Sequence, residues 1–221
     1  ETPMTDADVD RRRRMTSAYA RVLAGLDKLP GDRSRPRAWD TSLLTNSRRT
    51  DHTASTTKRF AATAAGAVEP KSRLYRLPTD GPSRTLRAGT GSERGAHTSP
   101  RPIHPAEDRV ITVREAARLH GYPDWFRFHT TNWHGHRQVG NSVPPPLARA
   151  AAVALLPSLS YSPRPLRSTI ALGELSLLAL TRLAAALVLD GRADELPRTR
   201  TRKSTSDEPV GSNEASIRDA V

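Results

Sequence analysis

Three consecutive prolines, Pro144, Pro145 and Pro146, stand directly before the run Leu147 to Leu156, which is built mostly of alanine and aliphatic residues. Each proline fixes φ near −65° and lacks an N–H, so a helix accepts it only in its first turn. The triplet therefore predicts a helix start near Pro145. Just upstream lie Gly140, Asn141 and Ser142, a small residue and two short polar ones, facing the positive end of that helix. Such a corner suits an ordinary loop-to-helix cap and also a small anionic ligand, and the local residues leave both open.

A second helix start is written at Thr112-Val113-Arg114-Glu115. Here the Thr112 hydroxyl can accept from the Glu115 amide while the Glu115 carboxylate reaches back to the Thr112 N–H, and Gly121 supplies the stop. Trp125, Phe126, Phe128 and Trp133 follow and are expected to form a local core. His129, His134 and His136 have no carboxylate or thiolate at ligand spacing, so they are read as hydrogen-bonded histidines and no metal is expected.

Ahead of these blocks, residues 1–30 predict one amphipathic helix from Thr5 to Leu29, with Met15, Tyr19, Val22, Leu26 and Leu29 on one stripe. Residues 31–70 are polar with sparse anchors and read as irregular. In 71–103, LYRL and TLRA are short strand candidates around a Pro-Thr-Asp-Gly-Pro turn. From Lys71 to Arg101 there are seven basic side chains against two acidic ones, which suits either a phosphate-contacting surface or a solvated basic face. Residues 104–157 hold the two blocks above. Then come a Pro-Arg hinge with an apolar helix at Ile170 to Leu189, within 158–191, and a charged tail, 192–221, expected to be disordered.

Composition narrows the chemistry. The formal net charge is +12, and 31 of the 35 basic residues are arginine, whose fork suits phosphate and the acceptor edge of guanine. Nucleic acid is the expected partner. There is no cysteine, so disulfides, thiolate metal sites and cysteine nucleophiles are excluded for these 221 residues. Gly173, Glu174, Thr181 and Arg182 interrupt the apolar stretch at 170–189, and the first 14 residues are polar and end in four arginines. Neither reads as a membrane span or a secretory leader, and a cytoplasmic location is expected.

RVITVREAARLHGYPDWFRF followed by RQVGNSVPPPLARAAAVAL resembles the ninth and tenth sequence blocks that end cytosine-5 DNA methyltransferases. PSRTLRAGTGSERGAHTSPRPIHP is similar to the last part of that family's target-recognition region, so the likeness runs from about Arg73 to Leu155. It implies an α/β fold, part of a Rossmann-like S-adenosylmethionine-dependent methyltransferase, with a small mixed α+β target-recognition region. It further implies S-adenosyl-L-methionine as cofactor and double-stranded DNA as partner, with cytosine flipped from the duplex, in the setting of restriction-modification. On this resemblance Gly140, Asn141 and Ser142 lie at the methionine end of the cofactor. Arg73, Arg84, Thr85, Arg87 and Arg94 face DNA, and Thr112, Arg114 and Glu115 are scaffold.

The reaction needs a thiolate to add at cytosine carbon 6 before carbon 5 can take a methyl group. In the family this falls to a Pro-Cys, aided by Glu-Asn-Val and Gln-x-Arg-x-Arg stretches, with a Phe-x-Gly-x-Gly loop for the cofactor. None of the four occurs here. No catalytic residue is therefore assigned, and a catalytic half is expected from another chain or from a missing N-terminal region. Two alternatives remain. TVREAARLHGY also resembles the first helix and turn of a helix-turn-helix regulator, and the chain could instead support a methyltransferase core without touching DNA.

Overall fold

The computed structural model describes residues 1–89, 101–160, 164 and 168–188. Arg94 and the tail 192–221 lie outside them, as does most of the expected hinge. In chain order the elements are β1 (Thr2–Pro3), α1 (Asp6–Arg13), α2 (Ala18–Leu23), β2 (Arg37–Ala38), β3 (Leu43–Leu44) and α3 (Ala54–Ala61). They continue with α4 (Val113–Leu119), α5 (Asn132–Asn141), α6 (Pro145–Leu155), β4 (Ile170–Ala171) and α7 (Arg182–Val188).

Strands are minimal. β1 pairs antiparallel with β3, and β2 pairs parallel with β4. No longer parallel sheet occurs among the described residues, so the Rossmann-like layer implied by the resemblance is not built here. The central ladder is made of single bridges: Val68 with Tyr75, Arg76 with Ile103, and Ile103 with Val110. Ile103, wholly buried, packs with Phe60 and Val110. A larger core gathers Leu77, Leu86, Ile111, Val113, Ala116, Ala117, Phe128 and Val139, binding the 75–88 segment, α4 and α5 into one body.

Several expectations are corrected. The first helix is two helices, because the chain breaks after Arg14 and Ser17 caps α2 by accepting from the Ala20 amide at 3.3 Å. The residue buried on α1 is Arg12 rather than an apolar stripe, and Gly25, at φ +71°, lies just past the end of α2. The helix expected over 170–189 is instead β4, a 3-10 turn at Leu175–Ala179 and α7. Gly173 and Glu174 interrupt it, the Ile170 amide bonds Pro36, and the Thr181 hydroxyl caps α7 at the Ala184 amide, 3.2 Å. TLRA forms no strand; it lies outside the named elements with Leu86 buried. Trp133 lies on α5, away from the Tyr122, Phe126 and Phe128 ring cluster, and Arg137 stacks on it at 5.2 Å.

The predicted starts hold. α6 begins at Pro145 and α4 carries the full capping box between Thr112 and Glu115. Residues 120–131 separate α4 from α5, far more than the tight turn of a helix-turn-helix.

Candidate functional site

α4 is held at both ends by buried charge. Glu115 accepts from the Thr112 amide at 2.8 Å and receives both Nη atoms of Arg109 at 2.8 Å. Burial alone would raise the Glu115 carboxyl, but the Arg109 hydrogen bond and the Thr112 amide overcome it and hold it down at about 2.

In the same first turn, Arg114 is the largest fully buried side chain among the described residues. It donates to the carbonyls of Thr45 at 3.0 Å and Pro123 at 3.1 Å, and also to the Thr45 hydroxyl and the Phe126 carbonyl. Burial pushes its guanidinium down to about 10, against the opposing pull of Asp124. Arg114 thus ties the loop at Thr45 and Asn46 to the loop after α4.

That second loop is centred on Asp124, 0% exposed, which accepts from Arg12 at 2.9 Å and from Arg118 at 2.7 and 2.9 Å. Arg114 stands 3.9 Å away. Three arginines from α1 and α4 converge on one carboxylate, so α1 is latched to the core through a buried ion pair spanning 112 residues of sequence. Sequence reading missed Arg12 and Asp124. Arg12 is one of four identical neighbours, and nothing local distinguishes the one that turns inward.

α5 carries the other part of the site. Gly140 and Asn141 are its last turn rather than a loop, and Ser142 is its C-cap. A β-carbon on Gly140 would meet the Arg87 carbonyl carbon and stand 2.6 Å from the Ala88 amide nitrogen. Glycine is what allows α5 and the Arg87–Ala88 backbone to touch. Ser142 Oγ donates to the Val139 carbonyl at 2.7 Å and lies 3.4 Å from His120 Nδ1. The Asn141 side chain is exposed beside it.

The start of α6 differs from expectation. Pro145 and Pro146 carry no N–H, and the amides of Leu147 and Ala148 both bond the Pro144 carbonyl, at 2.9 and 3.0 Å. No free first-turn amide is left for an anion, so any ligand at this corner must be held by side chains of Asn141 and Ser142 and by the residual dipole.

The basic segment is close to this corner through the Gly140 contact. Arg84, Thr85 and Arg87 are all exposed, and Arg84 lies over the Tyr75 ring at 4.1 Å. Arg73 is exposed at φ +60°, at the turn between the bridged residues Val68 and Tyr75. Tyr75, a flat platform under Arg84, was not singled out by sequence; the alternation in LYRL was its only signal. His136 is buried with its Nε2 unpartnered, and burial with the nearby Arg101 charge lowers it to about 4.

Among the described residues no group of three or more histidine or carboxylate side chains could hold a metal, and no helix is long and apolar enough to cross a membrane.

Comparison with known proteins agrees with this architecture. The C-5 cytosine-specific DNA methylase family matches residues 18–156. Type II methyltransferase M.XorII of Xanthomonas oryzae pv. oryzae is 54% identical over 170 residues, which is 77% of this chain and 40% of that protein. DNA (cytosine-5)-methyltransferase 1 of Mus musculus is 48% identical over 64 residues, 29% of this chain and 4% of that one. A solved DNA modification methyltransferase encoded within an E. coli prophage superposes with TM-score 0.52 and 32% identity, covering 67% of this chain and 39% of that chain. The chain thus spans about two fifths of the length of these two bacterial proteins.

Proposed function

The chain belongs to the C-5 cytosine-specific DNA methylases, and from that premise we propose that it is the portion of a DNA (cytosine-5-)-methyltransferase that recognises the DNA target and closes one wall of the methyl-donor site. The observation that carries this reading is the contact of Gly140 with Arg87 and Ala88. It makes one body of an exposed basic segment and the Asn141–Ser142 corner, so duplex held on one is positioned relative to a cofactor held on the other.

Arg84, Thr85 and Arg87 meet the DNA: the arginines engage phosphate or guanine, and the hydroxyl adds a short donor. Arg73 extends the same charge to the next turn, and Arg94, outside the described residues, is assigned the same DNA-contacting role. The donor set at the corner fits the methionine end of S-adenosyl-L-methionine. The Asn141 carboxamide both donates and accepts, and the Ser142 hydroxyl, already donating to Val139, accepts from the ammonium. When bound, the cofactor supplies the methyl group. Thr112, Arg114 and Glu115 act as scaffold, keeping the corner and the recognition segment on one frame.

These 221 residues contain no cysteine. The thiolate that must add to cytosine carbon 6 therefore comes from polypeptide outside them, and methyl transfer needs that catalytic half. The site of action is the cytoplasm, where duplex DNA and the methyl donor meet.

The test is a titration of duplex DNA at several salt concentrations, together with a donor-label transfer assay on the chain with and without a catalytic half. Binding that falls steeply with salt, and label on cytosine only when the catalytic half is added, is expected. Salt-independent binding, or transfer by the chain alone, overturns the reading.

A further inference from the structure

At the start of α6, a cavity of about 620 Å³ opens between Pro145 and Pro146, the loop after α2 and the loop after α4. Its size is that of a small-molecule site. Backbone contacts that only glycine permits shape its walls. A β-carbon on Gly25 would stand 2.7 Å from the Trp39 ring and 3.1 Å from the Trp125 ring; one on Gly121 would stand 2.6 Å from the Pro146 ring. Both glycines have positive φ, at +71° and +80°, so these walls are fixed by the backbone itself.

Two indoles, Trp39 and Trp125, line this space and offer flat apolar surface. Arg37 lies over Trp125 at 5.1 Å, and its Nη1 is shut off from solvent without a hydrogen-bond partner. Lys28, Arg35 and Arg149 also line the cavity. Lys28 and Arg149 close the rim by donating to the Ser34 and Pro30 carbonyls, which leaves their charge uncompensated. Of the two lining carboxylates, Asp27 is committed to Arg21 at 2.6 Å, and Asp32 accepts from the Ser34 amide at 2.8 Å. The cavity therefore combines aromatic walls with excess positive charge. A flat ring bearing an oxyanion satisfies both.

We propose that this cavity binds a nucleoside phosphate, its ring against Trp125 and Trp39 and its phosphate at Arg37 and Arg35. S-adenosylmethionine is a poor occupant, because its sulfonium and ammonium would face the cationic rim. The nucleotide can be free or part of a DNA strand, since the recognised chemistry is the same.

Tryptophan emission of the 221-residue chain, titrated with adenosine 5′-monophosphate, tests this. Adenosine, inorganic phosphate, S-adenosylmethionine and a short single-stranded oligonucleotide serve as parallel probes. Quenching by the monophosphate at least tenfold tighter than by adenosine or phosphate is expected. It should persist in Trp133→Phe, shrink in Trp125→Phe and weaken about tenfold in Arg37→Gln. An oligonucleotide as tight as the monophosphate identifies DNA as the source; a weaker one identifies the free nucleotide. Equal response to phosphate alone, equal response to S-adenosylmethionine, or no response overturns the proposal. Should Arg37→Gln fail to fold, the comparison of probes on the unaltered chain still decides. Arg84→Ala should leave the monophosphate signal intact, so failure here is separable from failure of duplex binding.

Discussion

Gly140, in the last turn of α5, lies flat against the backbone of Arg87, with the Ala88 amide nitrogen 2.6 Å from where a side chain would begin. Two backbones meet here with nothing between them, and neither can yield as a flexible side chain would. Gly140→Ala should therefore force α5 and the Arg87 segment apart, costing about 1–3 kcal/mol as an overpacked core does. Thermal unfolding reads the loss. Duplex affinity should drop with it, since the basic segment loses its support; an unaltered melting temperature would refute the contact.

Asp124 is the buried carboxylate that Arg12, Arg114 and Arg118 all face. Asp124→Asn keeps the shape and removes the counter-charge, leaving buried Arg12 and Arg114, with the partly exposed Arg118, to repel one another. A loss of about 3–5 kcal/mol is expected, the range found when one partner of a buried ion pair is removed. Urea denaturation measures it, and a change below 1 kcal/mol would show that the arginines are balanced elsewhere.

His136 makes stability depend on pH. Its folded value is lowered to about 4 from an ordinary 6.5, first by burial and then by the Arg101 charge, with the Ile111 carbonyl and Glu115 acting weakly the other way. The unfolded chain binds a proton at 6.5 that the folded chain refuses. The contribution is complete above pH 6.5 and is lost as pH falls towards 4, about 3 kcal/mol in all. Glu115, lowered to about 2, adds a separate loss below 4.5. Unfolding free energy between pH 7 and 4 should slope for the native chain and run flatter for His136→Gln; parallel curves would remove the assignment.

Arg84 stacks on Tyr75 with its guanidinium exposed. Arg84→Ala should lower the slope of log affinity against log salt for duplex DNA by about one, with little effect on stability. Tyr75→Leu removes the platform and keeps the charge, so it should weaken affinity while leaving the slope nearly unchanged. An identical slope in Arg84→Ala would take this residue off the DNA surface.

What the amino-acid sequence determined by itself was local. The prolines at 144–146 set where α6 starts, and the Thr112–Glu115 box sets where α4 starts, because these signals act through a residue's own dihedrals or through partners three positions away. The two blocks around them also carried the family resemblance, which the comparisons bear out. Tertiary structure decided the rest. Arg12 is chosen from a run of four arginines by partners outside its own helix, the carbonyls of Ala24 and Thr41 and Asp124, which lies 112 residues distant. The continuous helices expected at 5–29 and 170–189 gave way where Ser17 caps a new helix start and where Ile170 pairs with Arg37 in a strand. Gly140 looks in sequence like a flexible corner, and only the arrival of the Arg87 backbone shows that its lack of a side chain is a packing requirement. The physical reason is common to all three: a buried charge, a bridged strand and a backbone contact each depend on a partner whose position no short stretch of sequence encodes.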